Sequence, residues 1–542
     1  MTPAAPADLI ITAGRIHTLT EDGEHTTTVA IRDGRIIAAG GDEVLDELAG
    51  PDTSIHRYPE ATITPGLIDS HTHIVWGAEL SRGLNLTDLT LAEVREQLEA
   101  AARHTPEGEW LFGWGVDPNI FGEGFDGRIF DDITGHVPLF LRMRDAHSAV
   151  VNSATIARAE LTGAETFPDE SRIDVDRDGA VTGYVLELSA MNLVMAHAPE
   201  QSFDDRVRQV REVLAGMSEV GLTSTHVLDL HEGSQEILTA AEEHSELPLR
   251  LRISPFVMPG SDHDDFERLA ALQGEGGRRW RIEGVKFFID GTVDNGTAWL
   301  HQPDTYGQGT DSIWTDPDAY RAALRFFAER GIATATHAIG DRGVDFVLDA
   351  IEELGEVRHL APHRIEHIET IPDSTVGRFA ELGVAASMQP IHGTHHTKAD
   401  RSDNWSVRLG EQRASHGWRC RDIRETGATL ALGSDWPVTP FDPRAMMADS
   451  ILRYPVAKPG TAPVQPEQGL TALQALEGYT SHAARAVGLD HEEGSIAPGA
   501  RAQLTVFAAD PLSITPATLA ETPVIATYVD GTLAHATATA RV

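Results

Sequence analysis

The sequence predicts an α/β protein: a (β/α)8 TIM-like barrel, a small β-sandwich domain formed from both chain ends, and a large insertion after the first barrel strand. Three observations predict it. Both chain ends alternate in the manner of strands, the middle repeats helix, glycine and strand, and the stretch from about 79 to 202 breaks that repeat. A chain of 542 residues also exceeds what one ordinary core holds.

The N-terminal part of the sandwich, residues 1–64, carries "ADLIITAGRIHTL" and "TTTVAIRDGRIIAAGG", where Asp33-Gly34 supplies a tight hairpin turn. The C-terminal part, 484–542, holds "GSIAPGARAQLTVFAADP" and "PVIATYVDGTLAHA", with a second hairpin at Asp530-Gly531. The two ends are expected to pack together. Between them, 65–483 forms the barrel. "FDDRVRQVREVLAGMSEVG" leads into "LTSTHVLD", "DAYRAALRFFAERG" into "IATATHAIG", "DSTVGRFAELG" into "VAASMQP" and "RDIRETG" into "ATLALGSDWP". Gly221, Gly331, Gly383 and Gly427 stand where helix C-caps are expected. With "LIDSHTH", "LRLRISP", "GVKFFID" and "RIEHIE" the buried-strand candidates number about eight, the count a (β/α)8 barrel needs. An open doubly wound sheet alternates in the same way, so periodicity alone does not decide. The 79–202 segment, with patches such as "EWLFGWGVDPNIFGEGF", is expected to cover the mouth of the barrel; the alternative is an independent third domain.

Composition narrows the function. With 41% apolar and 23% charged residues the chain is of ordinary soluble type, and a net charge of -40 speaks against nucleic acid or an anionic membrane as partner. Cys420 is the one cysteine, so disulfides and thiolate metal clusters are excluded and any metal must be held by His, Asp, Glu or a modified Lys. No signal peptide is read in "MTPAAPADLIITAG", and no apolar run approaches a membrane span. A cytoplasmic location and a small-molecule substrate are therefore expected, with a homodimer as the assembly considered.

His71 and His73 lie two apart at the end of the first strand candidate, so both project toward one side. That end of a barrel is where catalytic groups collect. Lys286 on strand four, His337 on five, His367 on six and Asp435 on eight occupy corresponding places. A lysine in an apolar strand is costly unless neutralised. Together these residues point to metal ligation.

The order HxH, Lys, His, His, Asp, with "TPGLIDSHTH" before it, resembles the amidohydrolase superfamily of metal-dependent hydrolases. "LRMRDAHSAVVNS", "GVKFFIDGT", "THAIGDRGVD", "HRIEHIE", "SMQPIH" and "GSDWPV" resemble its YtcJ-like (amidohydrolase 3) branch, which includes N-substituted formamide deformylases. One departure is Gln503, standing where the tail motif of the branch has Asp.

The resemblance implies two divalent ions, zinc by expectation. His71, His73 and Asp435 would hold one, His337 and His367 the other, with a carboxylated Lys286 bridging them; a mononuclear site is the alternative. It further implies hydrolysis of a C–N (amide-type) bond by metal-activated hydroxide, with N-substituted formamides as candidate substrates and Asp435 passing the proton to the leaving amine. Alternatives are an ester or lactone hydrolase and a ring deaminase; Lys286 argues against the deaminase, and the full ligand set against a non-enzymatic scaffold. His392 is a candidate for oxyanion stabilisation or substrate contact. Asp145 and His147 in the insertion are candidates to close the site, and Trp114 and Trp299, with Trp76, Phe121 and Trp436, suggest a roomy aromatic pocket. Asp69 and Glu366 neighbour ligands and could orient imidazoles, with Glu366 ranked lower because adjacent strand residues face opposite ways.

Overall fold

The computed structural model describes residues 5–20, 26–87, 89–121, 124–144, 148–167 and 171–538. Asp145 and His147 lie outside the described residues. The chain divides into two compact units, one made of Met1–Ile74 with Val210–Val542 and the other of Val75–Gln209.

In the first unit both chain ends share one seven-stranded sheet, in the order Thr532–Ala536, Val524–Val529, Leu504–Phe507, Ser54–Pro65, Leu9–Ile16, Thr26–Arg32, Arg35–Gly40. The long strand Ser54–Pro65 joins the two ends: it runs parallel to Leu9–Ile16 on one edge and antiparallel to Leu504–Phe507 on the other. The pairings among the described residues thus give one sheet, where a sandwich requires two. Both expected hairpins are two-residue turns, with Arg32 opposite Arg35 and Val529 opposite Thr532. Their central residues have φ of 50° and 73° at Asp33 and Gly34, and 49° and 71° at Asp530 and Gly531. That double left-handed conformation is what such a turn demands, and Asp-Gly adopts it at low cost. Alternate residues of the strands, Ile11, Val29, Ile63, Leu504 and Val506, meet in a buried apolar cluster.

The remaining strands of this unit pair in parallel throughout. One sheet has the order Trp280–Ile282, Arg250–Ile253, Leu222–Val227, Leu67–Thr72; the other runs Phe256–Val257, Val285–Phe288, Thr334–Ala338, His363–His367, Ala385–Met388, Leu430–Leu432. Arg250–Ile253 and Phe256–Val257 are one strand interrupted at Pro255, which cannot donate a ladder hydrogen bond. Trp280–Ile282 and Val285–Phe288 are interrupted at Gly284, whose φ is 106°. Each strand expected from the sequence is present, and Gly221, Gly331, Gly383 and Gly427 all take the left-handed φ that a helix C-cap requires. Where the chain leaves Leu430–Leu432 it comes alongside Leu67–Thr72: Asp435 N–H donates to the His71 carbonyl at 2.7 Å, and His73 N–H to the Trp436 carbonyl at 2.9 Å. The ends of the parallel strands are thereby brought together in space.

The second unit is a six-stranded sheet in the order Arg172–Val175, Val181–Leu186, Ser148–Val151, Leu139–Met143, Leu111–Val116, Leu84–Asn85. It buries both faces, because Leu139, Leu141 and Val150 enter one apolar cluster while Phe140, Ala149 and Val151 enter another. Helix Leu91–Ala102 beside it starts at a capping box of Thr90 and Glu93. No helix among the described residues is long and apolar enough to cross a membrane.

Ile63 is fully buried where the two chain ends meet. Ile63→Ala is expected to cost about 2–5 kcal/mol in denaturant unfolding; a cost near zero would show that the shared sheet does not stabilise the first unit.

Candidate metal centre

The parallel strands deliver their polar residues at their C-terminal ends. His71 is the penultimate residue of Leu67–Thr72 and His73 follows it; His337 is penultimate in Thr334–Ala338, His367 ends His363–His367, and Asp435 lies just beyond Leu430–Leu432. Lys286 sits deeper, opposite Ala335 and two residues below His337 in register, so its long side chain extends from the floor. All six are buried, none exposing more than 9% of its surface. Strand pleating explains the shared direction of His71 and His73. Two residues depart from regular backbone: His367 has φ 73° and Asp435 φ 57°, a region costly for non-glycine residues and found where a site imposes the direction of a side chain.

Two carboxylates fix the imidazoles. Glu366 Oε2 lies 2.8 Å from His71 Nδ1, and Asp229 Oδ2 2.9 Å from His73 Nδ1. A carboxylate only accepts, so both Nδ1 atoms donate, leaving Nε2 as the lone-pair nitrogen of each neutral ring. Those Nε2 atoms stand 3.3 and 3.2 Å from one oxygen, Asp435 Oδ1. Three acceptors facing one another repel unless a cation lies among them. Without a metal a proton on His73 takes that place: burial disfavours the charged ring, but Asp229 and Asp435 outweigh it and raise its pKa to about 9, so that its Nε2–H donates to Asp435; a metal ion would displace this proton. Burial also opposes ionisation of Asp435, yet the hydrogen bond and charge of His73, with His392 and Lys286, hold its carboxyl below the usual range.

The ring of His367 is 4.8 Å from that of His71 and 4.5 Å from that of His337. Its Nδ1 is buried and has no hydrogen-bond partner. One ligand atom from each of His71, His367 and Asp435 lies within 4.8 Å of the others, close enough to share an ion. His337 Nε2 is 3.1 Å from the Gly291 carbonyl, to which it donates, leaving Nδ1 as its lone-pair nitrogen. Burial pushes the Lys286 amine down to about 8, against the pull of Glu366 and Asp435. Lone-pair imidazole nitrogens, an ionised carboxylate and an orphaned buried nitrogen form a donor set that fits a divalent metal.

His392, on helix Pro390–His396, is brought beside this centre: its Nε2 lies 3.8 Å from Asp435 Oδ2, is buried and has no hydrogen-bond partner. The other expected contacts fare differently. Trp299 is buried, its ring 5.1 Å from Phe346 with the Arg342 guanidinium over it. Phe121 packs tilted against Phe125 and edge-on against Phe130 within the second unit. Trp114 lies half-buried in Leu111–Val116 of that unit. The ranking of Asp69 over Glu366 is reversed. Asp69 Oδ1 accepts from the backbone N–H of His71 and Ser434, tying the first and last parallel strands together, while Glu366 orients the His71 ring. Glu366 does point away from its neighbour His367, as pleating requires, but that direction leads to the histidine of another strand. Asp229 was missed. It stands just past Leu222–Val227, where the rule that finds Asp435 also applies.

Behind Glu366 the chain of contacts continues inward. Arg364 Nε lies 2.9 Å from Glu366 Oε1, and Arg364 Nη1 donates to His226 Nδ1 at 2.9 Å and to the Ser70 carbonyl at 3.2 Å.

Residues 60–535 match the model of the Amidohydrolase family. The chain belongs to this family. It is 28% identical to Protein LONG AFTER FAR-RED 3 of Arabidopsis thaliana over 98% of this chain and 92% of that protein. It is 26% identical to the putative amidohydrolase YtcJ of Bacillus subtilis over 96% of this chain and 98% of that protein. It is also 26% identical to the N-substituted formamide deformylase of Arthrobacter pascens, over 97% and 98%. Among solved structures, an uncharacterized metal-dependent hydrolase from Pyrococcus horikoshii superposes with a TM-score of 0.73 at 23% identity, covering 94% of this chain and 99% of that one.

If Glu366 orients His71 and Arg364 holds Glu366, then Glu366→Gln and Arg364→Met are each expected to weaken metal retention about 10–100-fold in competition with a chelator. Unchanged retention in both variants would sever that chain of contacts from the metal centre.

Proposed function

We propose that this chain is a metal-dependent hydrolase that cleaves a C–N bond of an amide-type small molecule, with N-substituted formamides as first candidates. The observation that carries it is the convergence of His71 Nε2, His73 Nε2 and Asp435 Oδ1 within 3.3 Å contacts, beside His367. The family and the likeness to a formamide deformylase support the bond class. The two parallel sheets, interrupted at shared strands and meeting at His71 and Asp435, are read as one closed (β/α)8 barrel with the centre at its C-terminal mouth.

His71, His73 and Asp435 would hold one ion and His337 and His367 a second. Lys286 would bridge them as a carbamate: its neutral amine nitrogen bonds to the carbon of CO2 and loses a proton, replacing a buried cation by an anionic oxygen donor. Divalent ions, zinc by preference, supply Lewis acidity that polarises the substrate carbonyl and makes water nucleophilic near neutral pH. The chain does the rest. Asp435, an ionised carboxylate, takes a proton from the attacking water and delivers it to the leaving nitrogen, so the amine departs neutral. His392 Nε2, beside the other Asp435 oxygen, donates to the oxygen that gains charge as the carbonyl becomes tetrahedral.

Asp435→Asn is expected to lower kcat about 10²–10⁴-fold on any substrate, with the far-ultraviolet circular dichroism unchanged; full activity in the folded variant would remove Asp435 from the chemistry. Metal-loaded protein assayed against N-substituted formamides, acyl amines, cyclic imides and lactones is expected to release amine and acid from a C–N substrate. Turnover of lactones alone would reassign the bond to C–O.

A further inference from the structure

A second polar feature lies beside three of the parallel strands. Ser224 and His226 of Leu222–Val227, Arg250 and Arg252 of Arg250–Ile253, Trp280, and the segment that carries Glu492, Glu493 and Arg501 surround a cavity of about 150 Å³. Six arginines and three glutamates line it, and further carboxylates pair several of the arginines from outside the lining: Asp530 Oδ2 is 2.7 Å from Arg250 Nη1 and 3.6 Å from Arg279 Nε, and Glu246 Oε2 is 3.2 Å from Arg279 Nη2. The glutamates are committed. Glu283 Oε2 is 2.7 Å from Arg252 Nη1, Glu492 Oε2 accepts from Arg501 Nε at 2.7 Å, and Glu493 Oε2 from Ser224 Oγ at 2.9 Å.

The buried polar atoms left over are all donors. Arg364 can only donate, so its hydrogen bond to His226 Nδ1 places the proton of the neutral imidazole on Nε2, and that N–H has no acceptor. Trp280 Nε1–H and Arg252 Nε–H have none either, nor does Arg279 Nε–H, although Arg279 gives its Nη atoms to the Leu247 and Val529 carbonyls. His226, Arg279 and Trp280 expose 2%, 3% and 5% of their surface. Among the described residues lining the cavity, no buried acceptor lacks a partner. A buried donor without an acceptor costs about 1–3 kcal/mol, and four on one cavity wall call for an occupant rich in acceptors. Water alone offers as many donors as acceptors; an oxyanion offers acceptors only.

We propose that this cavity is a binding site for a small oxyanion, distinct from the metal centre and held by Arg252, Arg279, His226 and Trp280. The shared chemistry is that of a phosphate, sulfate or carboxylate group, free or carried by a metabolite; a water takes up ~30 Å³, so the cavity has room for such a group. His226 is also the inner end of the chain through Arg364 and Glu366 to His71, so the site touches the network that orients a candidate ligand.

The test is calorimetric titration of the full-length, metal-loaded protein with sodium phosphate, sodium sulfate, malonate and glycerol 3-phosphate, against sodium chloride at equal ionic strength. One site per chain is expected. Arg252→Met should weaken binding about tenfold or more, and Trp280→Phe, which removes one N–H and keeps the ring, by a smaller measurable factor. Should Arg252→Met fail to fold, Trp280→Phe carries the comparison alone. Binding of phosphate and sulfate supports a free inorganic ion, and binding of malonate or glycerol 3-phosphate alone supports a group carried by a metabolite. Heats no larger than those of chloride, or wild-type affinity in the folded variants, overturn the proposal and leave a water-filled ion-pair cavity.

Discussion

The constraint on which the rest depends is the burial of charge in the middle of a parallel-strand layer. Lys286, Arg364, Glu366 and Asp435 are all nearly inaccessible to water, and an isolated ion there would cost many kcal/mol. Such groups persist only when each has a partner of matching sign and geometry. The contacts His71–Glu366 and Glu366–Arg364 supply one such series, and Asp229–His73 supplies another. The series leaves one place where like lone pairs converge, at Asp435 Oδ1, and that is where a cation belongs. The strained backbone at His367 and Asp435 fits the same account, because a centre that fixes side-chain direction imposes an unfavourable φ on the residues that supply it.

The fold supplies that constraint with its geometry. Parallel strands end in register, so residues far apart in sequence arrive at one level. Asp69 accepts hydrogen bonds from the backbone of His71 and of Ser434, joining the first of these strands to the last, and Gly433 leaves the space that a side chain would take from the His71 backbone. The sheet shared by the chain ends adds its own fixed point, since Leu67–Thr72 follows Ser54–Pro65 after Gly66 alone. The strand that carries His71, with His73 just past its end, is thus anchored at its start by one sheet and at its end by another.

Much of this was legible in the sequence. Strand periodicity and glycine caps located every parallel strand, and Asp-Gly pairs located both hairpins, because those signals are local in origin. The places of His71, His73, Lys286, His337, His367 and Asp435 on or just past parallel strands were legible, because polar residues in apolar strands are costly without a purpose. Asp229 and the true role of Glu366 were not, since which carboxylate meets which imidazole depends on the register between strands, a property no single segment contains. The donors of the arginine-lined cavity escaped notice because arginines scattered from 250 to 501 converge only after folding.

The central claim, that the converging lone pairs at Asp435 exist to hold divalent metal, is tested most directly by anomalous diffraction from crystals of the metal-loaded protein. The expected result is an anomalous peak at a metal-edge wavelength, with His Nε2 or Nδ1 and the Asp435 carboxylate at about 2.0–2.2 Å, and a second peak on the side of His337 and Lys286. A well-ordered map with no anomalous peak at this position, and with Asp435 hydrogen-bonded directly to protonated His71 and His73, would contradict it.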